Sequence, residues 1–242
     1  MTLAQQAGIR VAETMPVLLA GGHAVAVKRF DRKRGGRVHC LTAHVALRAA
    51  QERFGYPELA QLLRRRGVTA GDRYVTDMQE LFRRMVFNIL IDNTDDHEKN
   101  HAVLVADAQQ YDLAPAYDVL PSGQALGFQQ MRVGELEADS TLANALSMAQ
   151  LFELGEKQAV AQVRRVARIV AGWRQHFAGC GVTRRFDSSY CSCVIFPLRS
   201  RNWPSECSGE LELAKTISPS FQWMLRSSCS RTRRSSIRCT PR

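Results

Sequence analysis

The chain has 242 residues, with 33 Lys plus Arg against 23 Asp plus Glu, a net charge of +10. That length is ample to bury a core, and 45% hydrophobic content excludes a wholly disordered polymer. No uninterrupted apolar run is long enough for a transmembrane helix, and MTLAQQAGIR has no charged segment leading into an apolar one, so neither a membrane span nor a secretory signal is expected.

The charge is not evenly spread. Residues 1–183 carry 22 basic and 19 acidic side chains, and residues 184–242 carry 11 and 4. Serine rises from 3 to 13 across that boundary while alanine falls from 27 to 1. The net of +3 before the boundary gives no support to direct nucleic-acid binding. Residues 184–242 are expected to be an irregular tail without sustained periodicity. Three readings stand for this tail: a basic arm that neutralises phosphates through RSSCSRTRRSSIR, a solvated disordered extension, and translation in a shifted frame. Its five cysteines make no paired zinc framework.

In chain order, Thr2–Gly8 reads as the last turns of a helix closed by Gly8. MPVLLAGGHAVAVKRF reads as two short strands around Gly21 and Gly22, and DRKRGGR as a polar loop. A helix of about four turns is predicted from Thr76, where Thr76 and Gln79 have capping-box spacing. Met78, Leu81, Phe82, Met85, Val86, Ile89 and Leu90 form its apolar stripe. Asp92, Asn93 and Thr94 should end it, because their side chains bond nearby backbone in turns. A hairpin follows, HAVLV and YDLAP around a turn at Asp107–Gln110. A last helix is predicted over Glu156–Phe177, with Val160, Val163, Val166, Val170, Trp173 and Phe177 on one face.

Two chemical patterns overlap in NTDDHEKNH. His97, Glu98 and His101 fit HExxH, which binds zinc when both histidines lie on one helix. Here the pattern sits between a turn and a strand, which conflicts with that geometry. The second pattern is Asp95, Asn100 five residues later, and Asp118 beyond a hairpin. A protein-kinase catalytic loop spaces its carboxylate and asparagine this way and brings its second metal aspartate after a hairpin. Asp96, only four residues from Asn100, is the weaker base candidate.

FNILIDNTDDHEKNHAVL, YDLAPAYDVLPS and AVKRFDR together resemble the HipA family, the serine/threonine kinase toxins of bacterial toxin–antitoxin pairs. The resemblance covers residues 1–183. It implies an α+β, protein-kinase-like fold with a mainly helical C-lobe and short β-hairpins, using ATP and magnesium in the cytoplasm. It implies residues 1–31 as the remnant of the N-lobe and hinge, 32–183 as the C-lobe, and 184–242 as the tail. Asp95 matches the catalytic base, and Asn100 and Asp118 match the magnesium ligands. His97 and Lys99 match residues near the nucleotide phosphates, Tyr117 the residue before the metal aspartate, and Lys28, Arg29 and Phe30 the hinge beside adenine. The resemblance also implies a protein substrate such as an aminoacyl-tRNA synthetase, and a DNA-binding antitoxin partner. The family's Gly-rich loop and phosphate-pairing lysine would precede Met1, so a truncated kinase, weakly active or inactive, is expected. A non-catalytic module that binds an antitoxin is the alternative, and the zinc protease a remote one.

Overall fold

The computed structural model describes residues 1–20, 22–122 and 124–181, so the expectations for the tail lie outside the described residues. The fold is α+β and mainly helical. Its elements are α1 (Thr2–Gln6), β1 (Thr14–Leu19), β2 (Gly22–Val27), β3 (Arg32–Lys33), β4 (Gly36–Arg37), β5 (Cys40–Thr42), α2 (Ala43–Ala49) and α3 (Tyr56–Arg66). Then come α4 (Arg73–Leu90), β6 (Ala102–Val105), β7 (Tyr111–Leu113), α5 (Leu142–Ser147), α6 (Glu156–Ala171) and α7 (Trp173–Gly179).

The spine is α4. Its three-and-four spacing puts Met78, Leu81, Phe82, Met85, Val86 and Leu90 into the core, against α3 and α6. Phe82 meets Phe152 edge-on at 5.4 Å, both fully buried, an arrangement aromatic quadrupoles favour. The helix is 18 residues long and begins at Arg73, not Thr76. The capping-box expectation therefore fails: Thr76 lies inside the helix, and the N-cap Asp72 makes no side-chain cap bond. Tertiary partners hold the first turn instead. The Tyr74 N–H donates to the Val68 carbonyl at 3.0 Å, and Arg73 reaches Asp112 at 2.8 Å.

The last predicted helix is also divided. α6 ends at Ala171, and α7 starts after Gly172, whose N–H returns to Ile169 O at 3.1 Å. Glycine costs a helix interior about 1 kcal/mol relative to alanine, and the break falls there. The first helix closes as expected, with Gly8 at a φ of 77°.

The strands make three small antiparallel sheets: β1–β2, β3–β4 and β5–β6–β7. In the last, Thr42 pairs with Ala102 and Val103 with Leu113. DRKRGGR, expected as loop, forms two rungs between β3 and β4. Met15, Leu18, Leu19, Val25 and Val27 stay exposed, so β1–β2 is not packed on the helical core. Among the described residues, no helix is long and apolar enough to cross a membrane.

Candidate active site

The site is built where α4 stops. Asp92 takes a φ of 55°, and the chain turns away from the helix. The Asn93 N–H still donates back to Asn88 O at 2.9 Å. A second segment pins the turn from outside. The Ser122 hydroxyl donates to Asp92 O at 2.7 Å and so accepts from the Thr94 N–H at 3.1 Å and the Thr94 hydroxyl at 2.6 Å. The Asp92 carboxylate accepts the Ala125 N–H at 2.7 Å. Burial nevertheless raises the pKa of Asp92 above the usual carboxylate value.

The next two aspartates differ in environment. Asp95 is exposed, and its carbonyl receives the Asn100 side-chain amide at 3.5 Å. Asp96 is only 2% exposed. Its Oδ2 accepts from the Tyr56 hydroxyl and from His101 Nε2, the latter at 2.8 Å. Asn88 donates to the Tyr56 hydroxyl at 3.2 Å, and Asn93 donates to Asn88 at 3.3 Å. Burial, together with the Asp96 charge, pushes the Tyr56 phenol well above its ordinary pKa, so it remains a donor. A carboxylate thus joins α3, the end of α4 and the start of β6 around the turn that carries Asp95 and Asn100.

The same turn is held from α2. His44 Nδ1 lies 2.7 Å from Glu98, the His44 ring stacks on Phe54, and the Ala43 N–H donates to His101 O at 2.8 Å. Burial, the largest single influence, raises the Glu98 carboxyl's pKa, but the His44 hydrogen bond, a backbone hydrogen bond and the nearby His44 and His97 charges together leave it below normal. The Asn100 N–H closes the turn on His97 O at 2.8 Å. Residues 97–101 are therefore turn and not helix, which removes the geometry a zinc HExxH site requires. Glu98 and His101 are committed to other partners, and no cluster of three or more metal-ligating His, Cys, Asp or Glu occurs among the described residues.

Asn100 and Asp118 meet in one recess, whose walls include Asp96, Asn88, Arg84 and His101. An amide and a carboxylate oxygen there suit a hard cation. Arg84 was not anticipated. It is 3% exposed, bonded to Glu80 and to Ala114 O at 2.7 Å. Its Nη1 finds no hydrogen-bond partner among the described residues. Burial lowers its pKa although the neighbouring Glu80 opposes this. Neither Arg84 nor Tyr56 carried a local signal: one lies within an apolar helix, the other opens a helix far along the chain.

Tyr117 donates to the carbonyl of Lys99, and its ring lies 5.6 Å from Phe30. Burial is the main reason its phenol is pushed up to about 12. Lys28 and Arg29 point elsewhere, to surface ion pairs with Glu13 and Asp31, each at 2.7 Å. Lys99 is exposed, and His97 is half-buried with no partner for Nδ1 among the described residues. The structure thus gathers Asp95, Asn100, Asp118, Tyr117, Phe30 and the backbone of Lys99 around one region, but not the side chains of Lys28 and Arg29.

Residues 1–173 match the HipA-like C-terminal domain. The chain belongs to that family. Putative kinase Y4dM of Sinorhizobium fredii is 30% identical over 195 residues, 72% of this chain and 46% of that protein. Putative kinase Y4mE of the same organism is 33% identical over 132 residues, 50% of this chain and 30% of its own. The chain thus spans less than half the length of these curated relatives. A chain of the Shewanella oneidensis MR-1 toxin–antitoxin complex of HipA, HipB and operator DNA superposes with a TM-score of 0.57 at 22% identity, covering 71% of this chain and 46% of that one. That likeness shows the HipA fold, the kinase-like α+β architecture expected above.

Proposed function

We propose that this chain carries the catalytic lobe of a HipA-family serine/threonine protein kinase, which transfers the ATP γ-phosphate to a protein hydroxyl as the toxin of a toxin–antitoxin pair. The observation that carries the reading is the meeting of Asn100 and Asp118 in one recess beside the turn that exposes Asp95. Asp95 is the base: its solvent-facing carboxylate is free to orient a substrate hydroxyl and accept its proton. Asn100 and Asp118 would hold magnesium through their side-chain oxygens. When bound, ATP would supply the phosphoryl group and magnesium would offset the charge developing on it. His97 and Lys99 contribute cationic or donor groups toward the phosphates. Phe30 and Tyr117 form an aromatic wall on the adenine side, with the backbone at Lys28–Phe30 as the hinge. Asp96 is a positioning residue that holds the turn through Tyr56 and His101.

The partner in this reading is a small DNA-binding antitoxin, supported by the HipA complex of Shewanella oneidensis MR-1 with HipB and operator DNA. The substrate is a protein, and an aminoacyl-tRNA synthetase is the example the family offers.

Calorimetry of the full chain tests the nucleotide site. Weak ATP binding that requires magnesium and disappears in Asp118→Asn is the expected result. Binding indifferent to magnesium and to Asp118→Asn, or no binding by a folded chain, overturns the catalytic reading.

A further inference from the structure

Residues 28–37, KRFDRKRGGR, carry six cations and one anion, while the rest of residues 1–183 carries 16 basic and 18 acidic side chains. The positive charge of the domain is therefore a local feature, and the structure shows its shape. β3 and β4 form a tight hairpin turning at Arg34 and Gly35, where Gly35 takes a φ of 87°, and residues 32–37 are all exposed. Three of the six cations are ion-paired in place, by two carboxylates. Lys28 pairs with Glu13 at 2.7 Å, and Asp31 takes both Arg29 at 2.7 Å and Arg32 at 2.8 Å. Lys33, Arg34 and Arg37 have no ion pair among the described residues.

The register sharpens the point. Arg32 and Arg37 are directly opposite in the two-stranded pair. Like charges in that position oppose pairing; Asp31 offsets Arg32, but Arg37 has no ion pair among the described residues. An anion seated across Arg37 and the turn would relieve the repulsion, and an arginine fork suits a carboxylate. The hairpin is tied to the candidate active site. The Val38 N–H donates to Asp31 O at 2.9 Å, and the Val105 N–H to His39 O at 2.8 Å, which joins the hairpin to the β5–β6–β7 sheet. β6 in that sheet begins directly after the turn of Asp95 and Asn100.

We propose that the β3–β4 hairpin is a docking surface for an acidic segment of the protein the kinase phosphorylates, held by Lys33, Arg34 and Arg37. A nucleic acid fits less well. Three cations neutralise too few phosphates for strong duplex binding, and the remainder of residues 1–183 is net negative. A short carboxylate-rich stretch needs only this local patch. The assignment of the partner as substrate rests on the kinase reading; the acidic-docking property does not.

The test uses the full chain and fluorescence anisotropy of a fluorescein-labelled, glutamate-rich peptide containing one serine. The variant Lys33→Glu/Arg34→Glu/Arg37→Glu should weaken binding roughly tenfold or more, with helicity by circular dichroism unchanged. Arg34→Glu alone, at the solvent-facing turn, should weaken it in the same direction and serves if the triple variant does not fold. Arg231→Glu/Arg233→Glu/Arg234→Glu changes net charge equally and should leave peptide affinity within twofold of wild type. Equal losses in both triple variants, or no loss in the hairpin variants, overturn the proposal. Duplex DNA that displaces the peptide through the same three residues overturns it in favour of nucleic acid. Loss of magnesium-dependent ATP binding with peptide docking intact would instead defeat only the catalytic reading.

Discussion

Replacing Asp96 by alanine removes the acceptor that holds the turn at residues 94–101 to α3. Its Oδ2 receives the Tyr56 hydroxyl and His101 Nε2, and all three residues are buried: Tyr56 0%, Asp96 2% and His101 3% exposed. Water cannot readily take the place of the lost oxygen. Each stranded donor costs about 1–3 kcal/mol. The substitution should therefore destabilise the domain by about 2–5 kcal/mol, with Asp96's own relief from desolvation setting the lower part of that range. Native domains have about 5–15 kcal/mol in total, so the loss is a large fraction. Tyr56→Phe removes one donor and its Asn88 contact and should cost about 1–2 kcal/mol. In the double variant the effects should fall short of additive by at least about 0.5 kcal/mol, because both break one bond. Urea unfolding followed by circular dichroism at constant m-value measures each quantity. A loss below about 1 kcal/mol for Asp96→Ala, or strict additivity with Tyr56→Phe, would refute the claim that this network holds the turn.

Two further predictions concern other parts of the chain. The Arg29 hydrogen bond is the first cause lowering the Asp31 carboxyl from 3.8 to about 2; this depressed folded-state value means that its contribution is present above about pH 4 and is lost as pH falls toward 2. NMR titration of the Asp31 carboxyl should give that low midpoint in wild type and move it up toward 3.8 in Arg29→Ala, whereas an unchanged midpoint would break the assignment. At Gly134, an added Cβ would lie 2.0 Å from Asn144 O and 2.5 Å from Ser147 Oγ. Gly134→Ala should accordingly cost about 1–3 kcal/mol by overpacking, read as a lower urea midpoint, and a neutral result would show that the segment shifts freely.

Local periodicity made α4 legible, because a helix that buries one face must place apolar residues three and four apart. The same logic exposed the Asp92–Thr94 turn and the β6–β7 hairpin, which together space Asp95, Asn100 and Asp118. Boundaries were less legible. Thr76 and Gln79 satisfy a local capping rule, but Arg73 and Tyr74 find partners in Asp112 and Val68, so the helix starts earlier. Gly172 is compatible with either a continuous or a broken helix, and the packing of Trp173 against Phe177, 5.4 Å apart, accompanies the break.

The sequence by itself determined the helical and hairpin order, the spacing of the chemical residues and the family to which they belong. These are consequences of near neighbours along the chain. It could not say which of two adjacent aspartates faces water, nor what holds HEKNH in its turn. Those questions depend on Tyr56, His44 and Ser122, which arrive from distant segments and satisfy polar groups in the turn. The net charge of +10 likewise named no surface. Only the fold showed that the cations left over by Glu13 and Asp31 gather on one exposed hairpin, because pairing in space, and not composition, decides which charges remain free.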